Sequence, residues 1–320
     1  MSNNFPVLVP DLQVSFYYRL KNIKDLYFHN SLKNTIKELS VKEVDEQLSQ
    51  YVTNKSLQKL AQFSLRGESF FPVPIILMKN PLLLGYYRLL YGFSQKTFYS
   101  SNAFGSFKNM EEKGKLTNKT DGDLVGLCKC LVQTAESLVN EMDEFTISTI
   151  TELQLLTVGP QLRGSKNNEY GQVAAQKTFN LIKALVKEYI VTATSTSIEI
   201  SNDSGRLVNI SFSADPDIEI TEQMSGGRRG LVSIEIKGGR DISNIHNRIG
   251  EAEKSHQKAK KRGYFEFITI LSVDIDYKVL GEESPTTSHF FNLDKLMDES
   301  SIEYSKFKDL ISSIVSIHLD

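Results

Sequence analysis

Between Ser213 and Gly239 the chain carries two stretches whose alternation restricts them to strands. In the second, Val232, Ile234 and Ile236 alternate with Ser233, Glu235 and Lys237. Side chains two apart on a strand share a face, so the aliphatic set points to a core and Glu235 and Lys237 stand together on the other side. In the first stretch Ile218 and Ile220 mark the core side, which leaves Asp215, Asp217 and Glu219 opposite. Ser225-Gly226-Gly227-Arg228-Arg229-Gly230 holds the glycines that a sharp reversal needs. The pattern predicts neighbouring strands in which Asp217 and Glu235 meet, with Lys237 beside them.

Two carboxylates a few ångströms apart repel, and one takes up a proton unless a cation lies between them. Mg²⁺ is the natural cation, since it takes oxygen ligands and is commonly held by one or two carboxylates plus a substrate phosphate. Such an ion activates a bound water and neutralises charge on a phosphoryl group. Lys237 is then placed to orient or deprotonate the attacking water. The plainer alternative is a solvated strand face with an ion pair, which Glu and Lys at alternate positions also describe. Pro216-Asp217 on the adjoining strand favours the metal reading.

Pro216-Asp217 followed by Glu235-Ile236-Lys237 resembles the PD-(D/E)xK signature of the nuclease superfamily that includes most type II restriction endonucleases. The longer run Glu235-Ile-Lys-Gly-Gly-Arg-Asp-Ile-Ser-Asn-Ile-His-Asn-Arg-Ile-Gly-Glu-Ala-Glu-Lys-Ser-His-Gln-Lys-Ala-Lys260 is similar to the segment after the catalytic lysine in XcyI-type restriction enzymes. Asn80-Pro-Leu-Leu-Leu-Gly-Tyr-Tyr-Arg-Leu-Leu-Tyr-Gly-Phe-Ser-Gln-Lys96 is similar to an N-terminal segment of the same family. The resemblance implies an α/β (α+β) fold with a central mixed sheet flanked by helices. It implies a Mg²⁺-dependent enzyme that hydrolyses phosphodiester bonds of double-stranded DNA at a short, palindromic site and leaves 5′-phosphates. Asp217 and Glu235 would hold the metal, the Ile236 carbonyl would complete its shell, and Lys237 would help activate water. A further acidic residue on the helix before the first catalytic strand is common in the superfamily, and Glu169 is the candidate. Glu169 equally suits a helix N-terminus through the macrodipole. A homodimer is expected because a two-fold protein matches a palindrome. A cognate DNA methyltransferase acting on the same site would accompany it in a bacterial cytoplasm.

The 320 residues suffice for two domains or one large one, and the net charge of −2 announces no global affinity for nucleic acid. A nuclease of this composition must rely on local basic patches. Cys128 and Cys130 have the wrong spacing for a zinc knuckle or redox pair and are expected to be buried thiols of a reducing compartment. The first six residues show no basic start or apolar leader, and no apolar run reaches the roughly 20 residues of a membrane span.

Along the chain, helices are expected over 11–39, 41–51 with a Ser40 cap, 56–67, 81–98, 124–142 capped by Asp121 or Asp123, and 146–157. The Tyr87, Arg88, Tyr91 stripe reads as core. Residues 101–120, with Lys108, Lys113, Lys115 and Lys119, read as a polar loop that either touches DNA or is merely solvated. Residues 1–157 thus form a mainly helical region and 158–320 the nuclease domain. Gly159 to Glu169 reads as a polar boundary loop with Arg163 and Lys166 suited to phosphate, followed by a helix over 168–189 with Val173, Phe179, Ile182, Leu185 and Val186 inward. Strands follow over 192–200 and 207–212, joined by the turn Asn202-Asp-Ser-Gly205. After the hairpin, 243–262 reads as a basic helix with a seam of Ile245, Ile249, Ala252 and Ala259. Arg240, Asn244, Asn247, Arg248, Lys254, Gln257 and Lys258 are its candidates for phosphate or base contact, and His256 falls with them on the outer faces. The alternative is a solvated amphipathic helix. A strand over 264–273, a loop over 281–289, and terminal helices over 293–297 and 300–317 complete the expectation.

Three rivals remain open from sequence. A repair or recombination nuclease could use the same centre, a non-catalytic DNA-binding module could keep the fold, and a small-molecule metalloenzyme could use the same ligands.

Overall fold

The computed structural model describes residues 10–100 and 104–318. The reading of the first six residues, and of 101–103 in the expected polar loop, lies outside them. The chain divides into two compact units, one ending at Lys166 and the other beginning at Asn167.

The first unit is helical: α1 (Asp11–Tyr27), α2 (His29–Lys37), α3 (Val41–Tyr51), α4 (Asn54–Gln62), α5 (Pro74–Lys79), α6 (Leu83–Leu90), α7 (Gln95–Ser100), α8 (Lys108–Lys113), α9 (Asn118–Glu141) and the start of α10 (Ile147–Leu185). Ser40 caps α3 by accepting the Glu43 N–H. The aromatic stripe is core, as its spacing predicts: Tyr86 and Tyr87 are buried with Leu83, Leu84, Leu77 and Phe70. The helix expected to reach Phe98 instead breaks after α6, where Gly92 takes a positive φ of 83°. The expected polar loop after Ser100 contains α8, because Phe107, Met110 and Glu111 are buried and need a scaffold. Helix α9 starts at Asn118 with Thr117 and Thr120 as a reciprocal cap, so neither Asp121 nor Asp123 caps it. Cys128 is buried but Cys130, two residues on and thus on another helix face, is exposed.

The stretch 159–169 is not a loop. It is interior to α10, with Pro160 inside the helix. Val158 and Leu162 are buried with Leu89 on the inner side of this turn, so tertiary packing overrides the weak propensity of Gly159, Pro160 and Gly164. Val173, expected inward, is 48% exposed, and Ala174 takes the buried position.

The second unit is one seven-stranded sheet in the order β1 (Ile190–Ala193), β2 (Ser197–Ser201), β3 (Leu207–Phe212), β4 (Ile218–Met224), β5 (Gly227–Lys237), β6 (Glu266–Leu271), β7 (His289–Asn292). Pairing is antiparallel from β1 through β5 and parallel from β5 through β7. The sheet is therefore mixed and flanked by helices, as expected. Two parallel neighbours need crossovers, which α11 (Ile245–Lys261) and α12 (Tyr277–Glu283) supply. The single strand expected over 192–200 is two strands turning at Thr194, whose hydroxyl accepts the Thr196 and Ser197 N–H groups. Helix α12 ends, and strand β7 begins, within the span 281–289 read as a loop. Helices α13 (Leu293–Leu296) and α14 (Ile302–Val315) end the unit.

Burial follows topology. Strand β2 alternates half-buried and buried positions, because only one face of the antiparallel wing is covered. Strand β5 is buried at six consecutive positions, Leu231 to Ile236, because both its faces are covered. One face packs Ile218, Val232, Ile234 and Ile268 against Phe179 and Ile182 of α10 and Phe307 and Ile311 of α14. The other carries Ser233 and Glu235 toward α11.

Candidate active site

The hairpin that presents the candidate groups turns more tightly than its sequence suggests. Met224 pairs with Gly227, so Ser225 and Gly226 alone form the turn, and Arg228 and Arg229 are strand residues. The register shifts between Ile220, opposite Val232, and Thr221, opposite Gly230. The extra residue, Leu231, makes a bulge that restores the phase in which Val232, Ile234 and Ile236 face the core. Below the bulge Ile218 lies opposite Ile234, which brings Asp217 to the end of β5.

There Asp217 Oδ2 accepts the Ile236 N–H at 2.7 Å. Lys237 Nζ donates to Glu235 Oε2 at 2.9 Å. The three side chains predicted to converge do so. Burial raises the pKa of Asp217 above the ordinary carboxylate range, although the Ile236 N–H and Lys237 pull it down. Burial also raises that of Glu235, opposed by Lys237 and reinforced by the charge on Asp217. Both carboxylates thus keep a net penalty for their charge despite the Lys237 ammonium nearby. They are not the solvated ion-paired face that the plainer reading described, since Glu235 is 5% exposed.

A cleft of about 480 Å³ opens over this point. Asp217, Ile236, Lys237, Gly238 and Gly239 form one wall, Asn167, Asn168, Gly171, Gln172 and Ala175 of α10 another, and Arg248 and Glu251 of α11 the third. Gly238 is required by close approach: a Cβ there would lie 2.5 Å from the Tyr170 carbonyl oxygen. Arg248 Nη1 donates to the Gly239 carbonyl at 2.6 Å, which holds the guanidinium at the cleft edge.

Among the described residues no group of three or more His, Cys, Asp or Glu is arranged to hold a metal ion. A site built from Asp217, Glu235 and the backbone of Ile236 has a smaller, all-oxygen donor set. That set fits a hard cation that keeps several waters, and the unrelieved charge of the two carboxylates is what such a cation would offset.

The other predicted residues scatter. Glu169 is half-buried on α10, one position off the face that lines the cleft. Arg163 is exposed and Lys166 half-buried on the part of α10 in the first unit. Arg240, Asn244, Asn247 and Lys254 are exposed. Gln257 donates to Glu253 at 2.7 Å and Lys258 to Asp215 Oδ2 at 2.7 Å. Among the described residues Arg248 is the one DNA-contact candidate that lines the cleft. His256 is a correction: it is fully buried, between Ser233 Oγ at 3.2 Å and Thr269 Oγ1 at 2.9 Å, and so belongs to the packed face of α11.

Sequence reading missed Asn168 and Gln172, whose i, i+4 spacing with Gly171 and Ala175 becomes a signal only once 159–169 is recognised as helix. It missed Glu251 for want of knowing which side of α11 faces the strand end. It also missed Ser255, although Ser255 interrupts the apolar seam of α11. No helix among the described residues is long and apolar enough to cross a membrane.

Comparison with known proteins gives the same direction. The chain is 42% identical over 321 residues to the type II restriction enzyme XcyI of Xanthomonas campestris pv. cyanopsidis, covering 98% of this chain and 96% of that one. It is 40% identical over 324 residues to the type II restriction enzyme Cfr9I of Citrobacter freundii, covering 99% and 98%. A family model described as XcyI restriction endonuclease matches residues 17–318, and the chain belongs to that family.

Proposed function

We propose that the protein is a type II restriction endonuclease, a divalent-metal-dependent enzyme that cuts double-stranded DNA at a specific short site. Family membership supports the activity. The observation that supports the site is that Asp217 and Lys237 line the cleft while Lys237 pairs with Glu235 buried beside it.

Asp217 and Glu235 would hold the metal, and Mg²⁺ suits two carboxylates plus water and phosphate oxygens. The Ile236 N–H is turned to Asp217, so its carbonyl lies on the same edge of the strand, as a third oxygen. When bound, the ion polarises the scissile phosphate and acidifies water. The rest falls to the chain's own groups. Lys237, paired to Glu235, orients the attacking water by hydrogen bond and stabilises the negative charge that develops on the phosphoryl oxygens. Arg248 meets a phosphate oxygen as a fork of donors. Asn168 and Gln172 offer uncharged donors and acceptors to sugar or base edges. In-line attack at phosphorus leaves a 5′-phosphate and a 3′-hydroxyl. A palindromic target read by a homodimer, with a cognate methyltransferase guarding the same site in a bacterial cytoplasm, completes the reading.

Digesting phage DNA with purified protein and Mg²⁺, then sequencing the ends, tests this. Discrete fragments with one shared end sequence are expected. Degradation without sequence preference, or cutting only at branched or damaged DNA, would favour a repair nuclease instead.

A further inference from the structure

Glu235 is held from two sides. Lys237 takes Oε2 at 2.9 Å, and the Ser255 hydroxyl takes Oε1. Ser255 comes from the buried side of α11, where it stands in line with Ile245, Ile249, Ala252 and Ala259. Alanine would satisfy packing in that seam, so the hydroxyl answers a polar need. The same hydroxyl contacts Asp215 Oδ1, whose other oxygen takes Lys258 at 2.7 Å. The result is an unbroken series of contacts, Lys258–Asp215–Ser255–Glu235–Lys237, running from the exposed side of α11 to the cleft.

A hydroxyl has one proton and two carboxylates want it. Asp215 is served independently by Lys258, and its backbone carbonyl by Arg262 at 2.7 Å. Among the described residues Glu235 has Lys237 besides. The hydroxyl proton therefore matters most to Glu235. The terminal torsion of a glutamate is broad and two-fold, so a single partner leaves the carboxylate plane loose, whereas partners on both oxygens fix it.

We propose that Ser255 is a positioning residue for Glu235, with Lys258 occupying the competing Asp215, and that it sets how tightly the centre holds a divalent cation. This rests on the metal-dependent nuclease reading above. Outer partners of metal ligands act by fixing orientation, and their loss typically costs about 10–100-fold in metal affinity or activity.

The test compares wild type, Ser255→Ala, Ser255→Thr and Asp215→Asn by three readouts. They are the Mg²⁺ midpoint of the thermal shift without DNA, the Mg²⁺ midpoint of cleavage, and DNA affinity at saturating Ca²⁺. Ser255→Ala should raise both midpoints by about 10–100-fold, with a cleavage deficit that shrinks as Mg²⁺ is raised and DNA affinity within about twofold of wild type. Ser255→Thr, which keeps the hydroxyl, should recover most of the loss, and Asp215→Asn, which weakens the competing acceptor, should leave the midpoints at or below wild type. Unchanged midpoints in Ser255→Ala, in a wild type that does cut DNA, would overturn the positioning role alone. A cleavage deficit matched by equal loss of DNA affinity and indifferent to Mg²⁺ would overturn it too. A wild type that neither shifts with Mg²⁺ nor cuts DNA would remove the nuclease reading and this inference together.

Discussion

The carboxylate buried in the helical core and the pair beside the cleft are treated in opposite ways. In the helical unit Glu111 is fully buried, yet its pKa is held below the ordinary range. Burial works against its charge, but Arg88 meets it through Nε and Nη2, both at 2.7 Å, while Tyr99 and Gln95 donate at 2.6 and 2.8 Å. In the sheet unit Asp217 and Glu235 have fewer donors, and burial wins. A saturated network of the first kind specifies how α6, α7 and α8 pack, and it has nothing left to offer a ligand. An under-served pair of the second kind costs stability and keeps capacity for a cation. Perturbed carboxylates in a cleft mark function for this reason, and a buried ion pair with every position filled does not.

The contrast is broken most forcefully at the cleft. Asp217→Ala and Glu235→Ala should each reduce cleavage by about 10³-fold or more, roughly 4 kcal/mol of barrier, while DNA binding in Ca²⁺ stays largely intact. Near-wild-type cutting by either variant would mean the centre lies elsewhere. In the helical unit the corresponding insult is structural. Arg88→Met strands a buried carboxylate and should cost roughly 3–5 kcal/mol in urea unfolding. Adding Glu111→Leu should recover much of that loss. A single variant within about 1 kcal/mol of wild type, on the order of an exposed pair, would show that the network does not specify the packing of α6, α7 and α8.

The third effect separates the two kinds of burial by pH. Burial lowers the His256 pKa from 6.5 to about 4. The folded state thus binds its proton less readily than the unfolded chain. The stability from the neutral ring is present above pH 6.5 and is lost as pH falls from there toward about 4, a loss of roughly 2–3 kcal/mol. Urea titrations at pH 7 and 4.5 should show that slope in wild type and a weaker one in His256→Gln. Equal slopes would assign the acid loss to other groups.

What the sequence displayed depended on how local the signal was. The hairpin of the candidate site was legible because alternation along it puts Asp217, Glu235 and Lys237 on one side regardless of what surrounds them. The mixed sheet flanked by helices was expected from the resemblance to the XcyI-type enzymes, since alternation along a strand does not say which neighbours are parallel. The course of α10 was not: Gly159, Pro160 and Gly164 argue for a loop, and only burial of Val158 and Leu162 overrides them. Because that turn was misread, the amide face of Asn168 and Gln172 was hidden. His256 was misplaced because the composition of α11 is basic nearly all round, so its buried polar side could not be told from its wet ones. Strand β7 has four residues, too few to show a period.

The smallest predicted effect bears most directly on the contrast. If Asp217 is a charge kept at a cost, then Asp217→Asn should stabilise the metal-free protein at neutral pH while destroying cleavage. The sign follows from the raised pKa. The folded state keeps this proton after the unfolded chain has released it, so the group favours folding at low pH and loses that advantage as pH rises through its folded pKa. At pH 7 only the penalty is left, and the neutral amide removes it. A gain of roughly 0.5–2 kcal/mol is the usual scale for relieving a destabilised functional site. Mg²⁺ should then close the gap from the other side, by about 2.7 kcal/mol at a hundredfold excess over Kd in wild type, and leave Asp217→Asn unmoved. The conservative change at Glu111, Glu111→Gln, should do the reverse: it loses stability in every buffer and does not respond to Mg²⁺, because its partners were chosen for a charge. Should Asp217→Asn instead be less stable than wild type without metal, the Ile236 N–H and Lys237 already satisfy that carboxylate, and Asp217 and Glu111 are buried by one rule.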